Sequence, residues 1–208
     1  MIEGNPKVFA IESAIAKAYE SKSNYALGYF VVHIDGKAYG VRSPEASLLA
    51  CSVCEVRERC TRRGKHIASF SEESNVGLVA NSFRHAIYAP NQEKNYFFGI
   101  PQRQFIETIY SHNLLWAPDG DEAFYDGSFV LHFDIKDKVR LIAFKCNATG
   151  YDHDPESLAE IWISADYFYN ILNKWQHAFE MEWSKLLQAR QRSKLKKKEQ
   201  PKGSIESC

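Results

Sequence analysis

Six large apolar residues, Phe168, Leu172, Trp175, Phe179, Trp183 and Leu186, recur every three or four positions toward the C-terminal end of the chain. That spacing gathers them on one stripe of a helix, and Ser164 just ahead supplies the side-chain oxygen that suits a helix N-terminus. Burying each of these side chains is worth roughly 1.5–3 kcal/mol, so the helix must dock on a broad apolar surface. The rest of the sequence offers a sheet.

Two hairpins can be read directly. Tyr29–Ile34 pairs with Lys37–Arg42 across Asp35-Gly36, a dipeptide that tolerates positive φ at both turn positions. Phe30, Val32, Ile34, Tyr39 and Val41 then share one face. In the second, Phe129–Lys136 pairs with Val139–Cys146 around Asp137-Lys138, setting Phe129, Leu131, Phe133 and Ile135 opposite Cys146, Phe144, Ile142 and Arg140. Further strands are expected at Val8–Ala16 and Ala159–Ile163.

Between the hairpins the period becomes helical. Leu49, Val53, Val56 and Cys60 form one stripe, with Ser43-Pro44 as its start signal and Gly64 as its stop. Val76, Val79, Phe83 and Ile87 form another before Pro90, and Phe105, Ile106, Ile109 and Tyr110 a shorter one after Pro101. The expected fold is α+β: an antiparallel sheet built from N-terminal and C-terminal hairpins, helices in the middle, and a long C-terminal helix packed on the sheet. Residues 1–187 read as a single domain and 188–208 as a basic, disordered tail, because that stretch is polar and charged throughout.

Net charge is zero, but it is unevenly divided. From Lys185 onward there are eight Lys/Arg against two Asp/Glu, which leaves the first 184 residues six charges net negative. An acidic body bears on partners and solubility rather than on fold. The opening Met1-Ile2-Glu3-Gly4-Asn5-Pro6 lacks the basic and apolar regions of a signal peptide. The longest apolar stretch, Ala26–Ile34, is too short to span a bilayer. A cytoplasmic location is therefore expected, with Cys51, Cys54, Cys60, Cys146 and Cys208 as reduced thiols.

Four groups invite a chemical reading. Cys51-x2-Cys54-x5-Cys60-x5-His66 hints at zinc on spacing. On one helix, however, Cys60 lies about 180° from Cys51, and a buried thiol on an apolar stripe acts as a small hydrophobe. The acidic loop from Trp116 to Gly127 holds Asp119, Asp121, Glu122 and Asp126. It can be read as a cation site without EF-hand order, as a solvated turn, or as a protein-binding loop. In the last reading the carboxylates steer a partner and Trp116, Phe124 and Tyr125 anchor it. His132 and Asp134 share a side of the second hairpin, the side expected to be half exposed. The run Arg190–Lys198 could touch phosphates, yet it has no interleaved aromatic to stack on bases. No catalytic motif and no cofactor or metal signature is recognised.

The opening Met1–Glu12, and the run Asp126-Gly127-Ser128-Phe129-Val130-Leu131-His132-Phe133 followed by Val139-Arg140-Leu141-Ile142, resemble the immunity protein 42 family of bacterial polymorphic toxin systems. The first hairpin, with Leu27-Gly28 before it, fits as well, and the resemblance runs in order over residues 1 to 187. It implies an immunity protein that binds and neutralises a cognate secreted or contact-delivered toxin without catalysing a reaction. Joined to the acidic body, it implies a toxin domain with a basic active-site surface, occluded through Trp116, Asp119, Asp121, Glu122, Phe124, Tyr125 and Asp126. A membrane or a specific nucleic acid is not an expected partner. Two alternatives stand beside this reading: a nucleic-acid-associated regulator using the basic tail, and an enzyme reversing a toxin's modification.

Overall fold

The computed structural model describes residues 1–89, 96–116, 122–147 and 150–199, with side chains described as far as residue 193. Pro90, the Pro118–Asp121 turn and Cys208 lie outside the described residues. Among those described, no helix is long and apolar enough to cross a membrane.

The N-terminal sheet is antiparallel, with strands in the order β1 (Ile2–Asn5), β2 (Phe9–Ala18), β3 (Ala26–Ile34) and β4 (Lys37–Tyr39); β5 (Ser47–Leu48) pairs with the far end of β3. The Asp35-Gly36 turn forms as expected, both residues taking positive φ (50° and 76°), and Val32 faces Tyr39. Strand β1 is an addition to the expected set. Gly4 makes it possible: at φ 101°, a Cβ there would run into the Phe9 carbonyl oxygen. Gly28 on β3 is equally constrained, since a Cβ would overlap the Ala14 carbonyl oxygen and lie 2.9 Å from Leu49 Cδ1.

Helix α1 spans Ala50–Thr61. It begins later than Ser43-Pro44 suggests, because Ser47 and Leu48 first pair with Gly28 and Leu27 of β3. Gly64, at φ 80°, follows its end. Helix α2 (Val76–Tyr88) is capped by Asn75, whose Oδ1 accepts from the Leu78 amide at 2.9 Å. A short hairpin of β6 (Tyr96–Phe97) and β7 (Ile100–Pro101), which the sequence reading did not anticipate, leads into α3 (Gln102–Ser111).

The C-terminal hairpin joins a separate three-stranded sheet ordered β10 (Ala159–Ser164), β9 (Lys138–Lys145), β8 (Ser128–Ile135). Its register corrects the expected one. Phe129 faces Phe144, Leu131 faces Ile142 and Phe133 faces Arg140, so the turn is Lys136-Asp137 rather than Asp137-Lys138. The slip moves every partner by two residues and leaves the faces unchanged, as period-two alternation requires. Lys136 takes the positive φ, 57°, that so tight a turn demands.

Both faces of this sheet are covered. Phe133, Leu131, Ile142 and Phe144 pack with α2 and α3, together with Val79, Phe83, Phe105 and Ile109. On the opposite face Val130, Val139, Leu141 and Ala143 join a second core with Phe9, Ile11, Phe30 and Val32 of the N-terminal sheet. His132 and Asp134 point to this second core and are buried, which corrects the half-exposed face expected for them.

Helix α4 (Ala165–Glu199) closes that core. Ser164 Oγ accepts from the Tyr167 amide at 3.2 Å, as its cap position predicts. Phe168, Leu172, Trp175 and Phe179 are fully buried, Trp183 is half-buried and Leu186 is exposed, so the apolar stripe is used over its first five members. Trp175 Nε1 donates to Ser13 Oγ at 3.0 Å, and Trp183 Nε1 to the carbonyls of Tyr19 and Tyr25 at 2.9 Å. The helix continues past residue 188 to Glu199, and Arg190 Nη1 donates to the Ala18 carbonyl at 3.1 Å.

Candidate functional site

The loop expected to meet a partner divides between interior and surface. Trp116 donates its backbone N–H to the Val130 carbonyl at 2.8 Å, which extends it along the edge of β8 and turns its ring inward. There the ring lies between Phe9 and Phe168, with the Arg59 guanidinium 4.7 Å from its centroid. Phe124, in a 3-10 turn at Glu122–Phe124, is buried against Phe30, and the Val41 amide donates to the Ala123 carbonyl beside it at 2.8 Å. Both rings are occupied by internal packing. Glu122 and Tyr125 are exposed, Tyr125 at 72%, and Asp126 is half-buried. Asp119 and Asp121 lie outside the described residues.

Asp126 is fixed in place. Its Oδ2 meets Lys145 Nζ at 2.7 Å, and its Oδ1 accepts from the Ser128 amide at 3.2 Å. Burial alone would raise its pKa, but the bonds from Lys145 and Ser128 outweigh that and hold it below the usual carboxylate range. Gly127 then passes so close to Cys146 that a Cβ would sit 2.5 Å from the sulfur. The Cys146 amide donates to the Gly127 carbonyl at 2.9 Å, and Cys146 bridges to His153. The rim thus runs from Tyr125 through Lys145 and Cys146 to the segment 150–156.

That segment is tied to α2. Asn81 Oδ1 accepts from the His153 amide at 3.0 Å, and His85 Nε2 lies 2.8 Å from Asp152 Oδ1. Between α2 and the β6–β7 hairpin opens a cleft of about 340 Å³ lined by Leu78, Asn81, Ser82, His85, Tyr96–Phe98 and Asp152.

A second group of polar side chains lies wholly inside. Arg59 of α1 donates to His132 Nδ1 at 2.8 Å and to the carbonyls of Leu115 and Asn113 at 2.6 and 3.2 Å, and pairs with Glu55 at 2.8 Å. Asp134 accepts from the amides of Gly64 and His66 and from the Tyr169 hydroxyl at 2.8 Å. Its carboxyl, pushed up by burial, is pulled lower still by the hydrogen bonds from His132 and Tyr169. Burial pushes the other way on the imidazoles, holding His132 and His66 below the ordinary histidine value, and the Arg59 charge reinforces it.

His66, His132 and Asp134 bring one ligand-type atom each to within 4.8 Å of one another. Two features set them against a cation. Arg59 always carries its protons, so it can only donate to His132 Nδ1; the remaining ring proton then sits on Nε2, the nitrogen facing Asp134 at 3.3 Å. The guanidinium charge also opposes a metal there. The arrangement ties α1, the 113–116 edge, β8 and α4 together. Among the described cysteines, Cys51 and Cys54 are exposed, and Cys60 is half-buried with its thiol pushed up to about 11 by burial.

The model of the family described as immunity protein 42 matches residues 1–178. The chain belongs to that family. As a member it is a toxin-neutralising immunity protein, and its partner is a cognate toxin protein. A solved structure titled "Crystal structure of CdiI from Burkholderia dolosa AUO158" shares the fold at a TM-score of 0.50 and 15% identity, covering 84% of this chain and 97% of that one. No curated protein matches. The immunity protein 42 match ends within α4, just short of Phe179, so it takes in both sheets and most of the core-facing part of that helix.

The sequence flagged His132 with Asp134, and His66 only as the last member of the cysteine series, but missed Arg59. Arg59 with Glu55 reads as an ordinary exposed pair on a helix surface, and nothing local shows that it faces His132, 73 positions along the chain.

Proposed function

We propose that this immunity protein neutralises its toxin in the cytoplasm by stoichiometric binding, without turning over a substrate. The observation that carries this is where the cluster of Arg59, His66, His132 and Asp134 lies. Arg59, His66 and His132 have no exposed surface, while Asp134 and Tyr169 have very little. General acid–base work needs a group within hydrogen-bond reach of a substrate atom, and this cluster offers none to solvent.

The surface that meets the toxin is, in this reading, the acidic and aromatic rim formed by Glu122, Tyr125 and Asp126, with Asp119 and Asp121 of the same loop. Its carboxylates suit a basic active-site surface on the toxin, and occlusion of that surface accounts for neutralisation. Trp116 and Phe124 support the rim from below.

The test is titration of the purified toxin domain with this protein. Full inhibition at one copy per toxin is expected, with an association rate that falls steeply as salt is raised. Full protection at well under one copy per toxin would overturn the binding mechanism in favour of an enzymatic one.

A further inference from the structure

We propose that the cleft between α2 and the β6–β7 hairpin receives a lysine or arginine side chain of the cognate toxin. The inference rests on the reading that this protein works by binding that toxin, and it names the chemistry of one contact.

The walls are apolar and outward-facing. Tyr96 is 65% exposed and Leu78 43%, and Tyr151, next to Asp152 in the chain, is 40% exposed. Large side chains left open together on a folded surface mark an interaction site more often than scattered ones do. Phe98 forms part of the lining, and its backbone lies at φ 52°, a left-handed conformation that a bulky side chain rarely takes. It is held there by packing: its ring stacks on Phe70 at 5.2 Å and lies 6.0 Å from Phe105. The cleft wall is therefore preformed, and a partner need not order it.

Charge selects the occupant. Asp152 stands in the lining with its side chain 62% exposed, and Asp154 and Glu156 follow on the same segment. Arg84 is turned away: it is buried, donates to the Tyr151 carbonyl, and lies over the rings of Tyr88 and Phe129 at 4.9 and 5.2 Å. His85 touches Asp152 without closing the cleft. Aromatic faces beside a carboxylate attract an ammonium or guanidinium through both the ring quadrupole and the charge. An anionic group would meet Asp152 unfavourably, and a purely apolar one would strip water from the Asp152–His85 pair without replacing it. The segment that carries Asp152 is tied to the rim at Asp126 through the Cys146–His153 bridge and the Lys145–Asp126 pair.

The experiment measures the affinity of a catalytically inactivated form of the toxin domain for the full chain and for Tyr96→Ala and Asp152→Lys, with Tyr167→Ala on α4 as a control. Each cleft variant should bind at least tenfold more weakly while unfolding at the same temperature as the parent, and Tyr167→Ala should bind normally. Every Lys and Arg on the toxin is then changed singly to Glu, and coupling to Asp152→Lys is read from double-mutant cycles. One toxin cation should couple strongly and be partly rescued by Asp152→Lys. If wild-type protein binds and the cleft variants bind equally well, the cleft assignment falls and the binding function stands. Coupling to an apolar toxin residue alone overturns the cationic occupant. A concentration-dependent dimer of the free protein that Tyr96→Ala abolishes assigns the cleft to a second copy instead. If wild-type protein does not bind the toxin at all, the broader reading fails with it.

Discussion

Arg59 donates to His132 Nδ1 across 2.8 Å in a part of the interior where neither side chain has any exposed surface. The same guanidinium holds the carbonyls of Leu115 and Asn113 and the carboxylate of Glu55. Replacing it with Met keeps much of the volume but takes the guanidinium from all four, and only Glu55 (from Asn113 Nδ2) and the Asn113 carbonyl (from His66 Nδ1) keep another side-chain donor. Arg59→Met should destabilise the protein by about 3–5 kcal/mol, the range seen when one member of a buried ion pair is removed. Urea unfolding monitored by tryptophan fluorescence measures this; a loss below about 1 kcal/mol would mean the cluster is not under tension with the fold.

Acid should loosen the protein well before its surface carboxylates matter. His132 and His66 are held below the ordinary histidine value of 6.5, so the unfolded chain takes up protons first as the pH falls past that point. Their contribution to stability is complete above it and declines toward acid. Asp134 is likewise depressed, from 3.8, and its contribution is lost at still lower pH. The urea midpoint should drop between about pH 7 and about pH 4.5, and His132→Gln should flatten that drop. An equal midpoint at both values would contradict the assignment.

Phe124 and Tyr125 are neighbours with opposite surroundings. Phe124→Ala empties a site in the core beside Phe30 and should cost about 3–5 kcal/mol. Tyr125→Ala should leave stability within about 0.5 kcal/mol of wild type, yet weaken the toxin complex. Thermal unfolding and binding measured on the same two variants separate the effects.

Gly28→Ala should be poorly tolerated although its backbone is ordinary. The added methyl overlaps the Ala14 carbonyl oxygen and presses on Leu49 Cδ1 at 2.9 Å. An over-packing cost of about 1–3 kcal/mol or more follows, whereas Gly36→Asn, with nothing near its Cβ position, should cost less, about 1 kcal/mol from its φ of 76°, which asparagine tolerates better than most residues. Parallel denaturation of the two variants checks this contrast.

Truncation after residue 193 removes most of the basic C-terminal run. Toxin neutralisation should be unchanged, because the proposed contacts lie elsewhere. Loss of protection on truncation would return the nucleic-acid reading to the front.

Period and turn chemistry made much of this fold legible. The stripe from Phe168 to Phe179, the cap at Ser164 and the Asp35-Gly36 turn all report local geometry, and local geometry is written in neighbouring residues. What escaped was set by distant partners. Strand β1 carries no alternation, and it forms because β2 and Gly4 accept it. The register of β8 on β9 differs by two residues from the expected one, a change to which a binary pattern is blind. Trp116 sits in an acidic loop and looks like an anchor; only its bond to Val130 turns it inward. Asp126 and Tyr125 could be singled out from the sequence as candidates, while the cleft needed α2 and segment 150–156 to be brought together in space.

Helix α4 contributes Phe168, Leu172, Trp175 and Phe179 to the core that joins the two sheets, and every other element is synthesised before it. While it is still inside the ribosome, Phe9, Phe30 and Ser13 lack the surface that covers them. The nascent chain therefore has no route to its finished shape until the helix has left the ribosome, and a cell under attack gains a working copy only from that moment.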